Sequence, residues 1–409
     1  MNRVVFILLT VLVDAIGFGI ILPILPKLIM KLSGEGISQA SIYGGWLWFA
    51  YAVMQFFCAP VLGNLSDRYG RRPVILFSLL TFGIDYLIMG FAPTLFWLFV
   101  GRSIAGMAGA SFVPAYSYLA DVSPPERRAQ NFGLIGAAFG SGFVLGPAIG
   151  GLLGAMGTRA PFFAAAGLAL INFLFGLFVL PESLSKESRR PFDPRRANPL
   201  GTLLQMRKYP SVTGLLLVQF LWQLAHQVFP STWAYYTMFK FGWSERAVGI
   251  SLAFVGMIMA FSTAGMTRVL VPRLGEQRAA RFGLLTGTAA FVGYALASRG
   301  WMMYAFLVAW LLAGLVQPSV MGLMSRQIPA NAQGELQGGV ASLYSLSAVV
   351  GPPLMTQVFG YFSSERARVH FPGAAFLCAA ALAFAGLLLL ARAPRAARAY
   401  SPAAAAVPE

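Results

Sequence analysis

Gly146-Pro147-Ala-Ile-Gly150-Gly151 lies inside an apolar run, and 205 residues later Gly351-Pro352-Pro353-Leu354 lies inside another. At the same offset Asp67-Arg68-Tyr69-Gly70 is echoed by Pro272-Arg273-Leu274-Gly275. Two landmarks at one spacing, about half the chain, point to a duplicated unit. Chance coincidence in a chain with 44 glycines is the competing reading. Around these landmarks, stretches long enough to cross a bilayer, about 20 residues each, recur twelve times. They run roughly over 4–30, 42–63, 73–92, 94–119, 130–155, 161–181, 211–237, 247–271, 281–298, 301–324, 335–361 and 373–391. A polar, basic, proline-containing segment divides them six and six. The expected fold is an all-α membrane protein with twelve transmembrane helices in two pseudo-symmetric six-helix bundles. The parts are an N-terminal bundle over 1–181, a basic cytoplasmic linker over 182–210, a C-terminal bundle over 211–391 and a tail over 392–409. The Ala/Pro-rich composition of that tail predicts disorder.

Composition leads to the same class. Of the 409 residues, 57% are hydrophobic and 11% charged, against about 25% charged in soluble domains. So few charges cannot cover a soluble surface, which excludes a soluble enzyme, a secreted disulfide scaffold and a nucleic-acid-binding domain. The formal charge of +16 therefore belongs to loops facing anionic lipid rather than to a nucleic-acid interface. If the termini are cytoplasmic, 21 of the 30 Lys and Arg fall in inner segments and 8 in outer ones, with Arg102 inside a span. That bias places both termini inside. Cys58 and Cys378 both sit in apolar stretches and predict no disulfide framework.

Charged residues inside the spans are few, and each needs a reason. Arg102 sits in LFVGRSIAGMAGAS, Asp14 in LVDAIGFGIILPILP and Asp85 near the edge of the third span. An Asp14–Arg102 pair would neutralise both members. Such a pair either orders the bundle permanently or includes a carboxylate that exchanges protons as access alternates. Between the second and third spans, Gly63-Asn-Leu-Ser-Asp67-Arg68-Tyr-Gly70-Arg71-Arg72 reads as a short loop. Its glycines permit a tight turn, and Asp67 is suited to accept from helix amides or a basic partner. It is either a charge latch that breaks when the halves rock, or a positive-inside loop with an incidental acid. In the fifth span Gly142, Gly146 and Gly150 line one face and Pro147 bends the helix, which predicts a dry, kinked seam ending at Gly151.

The seventh span is the most polar. Gln219, Gln223, His226 and Gln227 share one helical face, followed by Trp233 and Tyr236. Toward lipid that face would be expensive. It either lines a cavity or forms an interhelical hydrogen-bond ladder. His226 is one of two histidines, the side chain suited to proton exchange near neutral pH. Gln55, Asn172 and Gln317 are further isolated polar residues within spans. There is no phosphate-binding loop, metal-ligand cluster or nucleophile–base arrangement, so neither ATPase nor hydrolase chemistry is expected.

The three motifs, in order, resemble those of the major facilitator superfamily. GNLSDRYGRRPV resembles its loop motif, LFVGRSIAGMAGAS its fourth-helix arginine motif, and GFVLGPAIGG its antiporter motif. The chain is most similar to the drug:proton antiporter branch and its tetracycline-resistance-type efflux proteins. That resemblance implies proton-driven export of drug-like small molecules by alternating access, with protons as the coupling ion and no cofactor. It implies a functional monomer in a bacterial inner membrane. The positions assigned to proton coupling are Asp14, Arg102, Asp85 and His226. Gly63, Asp67, Arg68, Gly70, Arg71 and Arg72 form the gating latch, and Gly142, Gly146, Pro147, Gly150 and Gly151 the antiporter motif. Gln55, Asp85, Gln223, His226, Gln227, Trp233, Tyr236 and Gln317 are assigned to substrate. Met259 and Gly287 stand where the resemblance implies a membrane histidine and aspartate, and His226 stands where it implies glycine. The alternatives are export of a lipid, sugar or other metabolite, and a receptor-like member that transports nothing.

Overall fold

The computed structural model describes residues 3–109, 112–192, 201, 206–329 and 332–392. The expected tail beyond 392 and most of the linker after 192 lie outside the described residues. The described chain is helical, with no strand among the described residues. Its main helices are α1 (Arg3–Ile21), α2 (Leu25–Ser33), α3 (Ile37–Tyr69), α4 (Arg71–Phe91), α5 (Leu95–Ala108), α6 (Phe112–Val122), α7 (Arg128–Gly154) and α8 (Ala160–Val179). After the linker come α9 (Pro210–His226), α10 (Val228–Phe241), α11 (Glu245–Phe261), α12 (Thr267–Leu274) and α13 (Glu276–Leu296). The last four are α14 (Gly300–Trp310), α15 (Val316–Ser325), α16 (Gln333–Ser363) and α17 (Ala374–Arg392).

Each apolar run read from the sequence coincides with one of these helices or with an interrupted pair. Nine of the described helical stretches are long and apolar enough to cross a membrane. The interruptions have local causes. Pro23 and Pro26 separate α1 from α2, with Pro26 in the first turn of α2, where its missing N–H costs nothing. A π turn over Ser262–Met266 separates α11 from α12, and a 3₁₀ turn over Leu311–Leu315 separates α14 from α15.

The duplication is visible in the backbone. Gly70 (φ 108°) joins α3 to α4, and Gly275 (φ 76°), 205 residues on, joins α12 to α13. Both conformations suit glycine because no Cβ obstructs them. The Gly70 amide donates to the Ser66 carbonyl, and the Gly275 amide donates to that of Val271, again at the same offset. The helices that follow are both 21 residues long. Pro147 inside α7 corresponds to Pro352 inside α16.

Contacts divide the chain into two compact units. The first comprises Met1–Asn198, Pro230–Met257 and Pro352–His370; the second comprises Pro199–Phe229, Ile258–Gly351 and Phe371–Glu409. In the first unit α1 packs along α7, α4 along α8, and α3 along α5. Small residues let the later segments approach the earlier helices. Gly44 of α3 faces the Tyr235 ring, Gly45 faces Thr356, and Gly151 of α7 faces Gly249 of α11. Ser38 donates to the Ser363 carbonyl at 3.0 Å, and Lys27 pairs with Glu245. In the second unit α13 and α9 both pack on α17.

Candidate functional site

The expected glycine seam forms, and its partner is α1. A Cβ on Gly142 would lie 2.6 Å from the Leu12 carbonyl oxygen, and one on Gly146 2.6 Å from that of Ile16. Gly19 of α1 meets Pro147 from the other side. This contact fixes α1, and with it the depth and direction of Asp14.

Asp14 is not paired with Arg102. Arg102 donates from Nη2 to Oδ2 of Asp85, and both residues are buried. The reason lies in helix adjacency: α4 and α5 are packed neighbours, so the acid on α4 reaches the guanidinium first. The cation also lies over the Tyr51 ring, 5.5 Å from its centroid, which adds a cation–π contribution. Asp14 meets Asn172 of α8 instead. Asn172 is itself bonded to Thr10, one turn from Asp14. One oxygen of each acid, Asp14 Oδ1 and Asp85 Oδ1, is buried without a hydrogen-bond partner. Gln55 belongs to the same neighbourhood, donating to the Gly109 carbonyl at 2.8 Å and to the Tyr51 hydroxyl at 3.3 Å.

The loop read between the second and third spans is a single residue. Gly63, Asp67 and Arg68 are helical within α3, Arg71 and Arg72 begin α4, and only Gly70 stands between. An apolar run ends where hydropathy falls, but a helix ends where its backbone bonds do, and α3 continues nearly two turns past its apolar part. Asp67 takes the basic partner rather than the helix amides. Arg71 Nη1 donates to Asp67 Oδ1 at 2.5 Å and to Ser66 Oγ at 2.6 Å, and its Nε donates to Asp121 Oδ2 at 3.3 Å. The amides of Arg71 and Arg72 go to Glu182, at 2.8 and 3.3 Å. Arg72 Nη2 reaches the Leu177 carbonyl, and Arg68 lies over the Tyr69 ring. Asp121 and Glu182 were not singled out from the sequence. Their signal is that each is an acid at the end of an apolar run whose neighbours are basic.

Glu182 also accepts from the amides of Ser183 and Leu184, so one carboxylate caps α4 and turns the start of the linker. Caps of this kind are worth about 1–2 kcal/mol. Glu182→Ala is expected to lower the unfolding free energy by about that amount, read as a lower midpoint of thermal unfolding in detergent. An unchanged midpoint would remove Glu182 from this role.

In the second unit the polar face of α9 is buried. Gln219, Gln223 and Gln227 are all under 10% exposed. Gln227 donates to Ser347 Oγ of α16 at 3.4 Å, one rung of the ladder considered from the sequence. Both amide atoms of Gln219 are buried without a partner. His226 sits among rings, its centroid 5.4 Å from Phe229 and 5.8 Å from Trp310. Trp222 stacks on Trp310 at 5.4 Å. Gly287 accommodates that indole: a Cβ there would lie 2.8 Å from Trp222 Cη2, so an aspartate would displace the ring. Gln317 is exposed.

Trp233 and Tyr236 fall in the first unit, because the division between the units runs through the seventh span at Pro230. Both are fully buried. Trp233 Nε1 donates to Ser251 Oγ at 2.9 Å, and Lys240 Nζ donates to the Tyr236 hydroxyl at 3.0 Å.

Apolar spanning helices with a repeated frame and a buried ion pair define an integral membrane protein. The chain belongs to the Major Facilitator Superfamily, whose family profile matches residues 7–352. It is 41% identical to the class C tetracycline resistance protein of Escherichia coli over 93% of this chain and 94% of that protein. It is 34% identical to the class B protein of the same organism over 87% and 88%. Among solved structures it is similar to the human organic anion transporter MFSD10 (TETRAN), with a TM-score of 0.71, 25% identity, and coverage of 95% and 99%. A bacterial homolog of the human lysosomal transporter Spinster shares the fold, with a TM-score of 0.77 at 15% identity and 98% coverage of each chain.

Proposed function

We propose that the chain exports drug-like amphiphilic molecules from the cytoplasm in exchange for external protons, by alternating access. Tetracyclines are the first substrates to test, because the relatives named above are tetracycline resistance proteins. The observation that carries proton coupling is the pair of sequestered acids in one apolar bundle. Asp85 is held by Arg102, Asp14 is not, and each keeps a bare oxygen. A carboxylate in such a place is kept for a purpose, since an apolar residue would cost less.

In this reading Asp14, Asp85, Arg102 and His226 carry the protons. Gln55, Gln223, Gln227 and Gln317, with Trp233 and Tyr236, serve substrate recognition. The Asp67–Arg71 cluster, with Arg68, Arg72 and the glycines 63 and 70, acts as the inner latch, and Gly142 through Gly151 as the seam. The two six-helix halves, 1–181 and 211–391, rock about the linker. The protein works as a monomer in a bacterial inner membrane with both termini cytoplasmic, the side favoured by its basic residues. It needs no cofactor. Substrate and proton must oppose each other energetically for exchange to occur.

The test is tetracycline uptake into inverted membrane vesicles. Energised vesicles should accumulate the drug, and a protonophore should collapse the accumulation. Uptake that persists with the protonophore present rejects proton coupling. Export of a lipid, sugar or other metabolite would instead leave tetracycline uptake at background.

A further inference from the structure

The fourth span and its copy are interrupted at the same place. α5 ends at Ala108 and α6 starts at Phe112; α14 ends at Trp310, a 3₁₀ turn covers Leu311–Leu315, and α15 starts at Val316. Gly109 and Gly314 stand at the two interruptions, again 205 residues apart. Each has a cause nearby. α6 opens Phe112-Val113-Pro114 and α15 opens Val316-Gln317-Pro318, and proline has no N–H to donate to the preceding turn. Each glycine is also met by a side chain from a neighbouring span. A Cβ on Gly109 would lie 2.6 Å from the Tyr51 hydroxyl, and Gln55 Nε2 of α3 donates to the Gly109 carbonyl at 2.8 Å. A Cβ on Gly314 would lie 2.9 Å from Ser262 Cβ, and Ser262 Oγ donates to the Leu311 carbonyl. Ser262 opens the π turn after α11, which is the counterpart of α3 in the second half. Irregular turns within a helix often mark a hinge. Past each interruption lies one member of an ion pair. Asp121, near the end of α6, pairs with Arg71 at 3.3 Å, and Arg326, just after α15, pairs with Glu276 at 2.9 Å. Positions 71 and 276, and 121 and 326, are each 205 apart, so the two copies keep the pair and exchange its signs.

We propose that the fourth and tenth spans are hinged at Gly109 and Gly314, with Gln55 and Ser262 as positioning residues that set the resting angle of the piece beyond each hinge. This rests on the transport reading above. In the first half Arg102 lies on α5 with Asp85, and Asp121 lies on α6 with Arg71. A swing about Gly109 therefore parts Asp121 from Arg71 and leaves the buried pair intact. The latch opens without unpairing a charge inside the apolar bundle, which would be costly. In the second half the same swing about Gly314 parts Arg326 from Glu276. The bonds from Gln55 and Ser262 return each piece to the position in which its ion pair closes again.

Two substitutions in the full-length protein separate a hinge from a fixed kink. Pro318→Ala restores a backbone donor and stiffens the interruption, whereas Ser262→Ala removes the bond that holds it. Amide hydrogen exchange in detergent, without substrate, reads the hinge itself. In Ser262→Ala the amides of α15 should exchange at least fivefold faster while those of α17 are unchanged; in Pro318→Ala those of α15 should exchange more slowly. Tetracycline uptake into proteoliposomes reads the cycle. Its maximal rate should fall fivefold or more in both variants, with KM within twofold of wild type. Pro318→Ala should melt no lower than wild type, so its lost rate is not a lost fold. A wild-type maximal rate in Pro318→Ala overturns the hinge. Exchange in Ser262→Ala that is unchanged in α15, or raised equally in α17, overturns the positioning role. If Ser262→Ala does not yield folded protein, Pro318→Ala alone decides. Wild-type protein that moves no tetracycline rejects the transport reading and the hinge's part in it, and the exchange rates then judge the Ser262 bond by themselves.

Discussion

Asp85→Asn should unfold far below the wild-type temperature and lose transport. Asparagine nearly matches the shape of aspartate and can still accept a hydrogen bond from Arg102. What it removes is the charge that balances a buried guanidinium. Breaking one side of a buried pair costs about 3–5 kcal/mol, a large share of the roughly 5–15 kcal/mol that separates folded from unfolded chains. The double variant Asp85→Asn/Arg102→Gln leaves no unbalanced charge, so it should regain most of the lost stability. It should not regain gradient-driven uptake. Thermal unfolding in detergent, followed by tryptophan fluorescence, reads the first effect, and proteoliposome flux reads the second. A single variant that melts with wild type would mean that the ion pair carries no structural weight.

Gly150→Val should be nearly as damaging, for a steric reason. A Cβ at 150 would meet the α1 backbone, 2.7 Å from the Ile20 carbonyl carbon. Backbone cannot move aside as the end of a side chain can, so α1 and α7 must separate along the seam. Overpacking costs about 1–3 kcal/mol when side chains can yield, and here the obstacle is main chain. The same helix supplies its own control: nothing lies within 4 Å of a Cβ at Gly136 or Gly140. Gly140→Ala should be neutral or slightly stabilising, since alanine favours helix by about 1 kcal/mol. Recovery of monodisperse protein by size-exclusion chromatography is the measurement. Equal recovery of Gly150→Val and Gly140→Ala would show that the seam is not close-packed.

Hydropathy and the repeated landmarks made much of this architecture legible, because each of those signals is local. A span requires about 20 apolar residues, and a reversal such as those at Gly70 and Gly275 favours glycine. Adjacency is not local, and there the reading failed. Depth in the membrane favours Asp14 as the partner of Arg102, with Asp85 near the edge of its span, and only the packing of α4 on α5 gives the place to Asp85. Asp121 and Glu182 show in the sequence only as acids at the ends of apolar runs, and Tyr51 does not show at all; their roles come from neighbours far along the chain. The seventh span illustrates a different limit. Its polar residues follow one period, yet the units divide at Pro230, within that span, and Trp233 and Tyr236 belong to another compact unit than Gln219 and Gln223.

The shared frame of 205 residues also shows what the copies do not share. Asp14, Asp85 and Arg102 align with Gln219, Ala290 and Leu307. A voltage across the bilayer acts only on charge, with about 2.3 kcal/mol per elementary charge per 100 mV. It therefore pulls on the first copy at these three positions and has nothing to grip at their counterparts in the second.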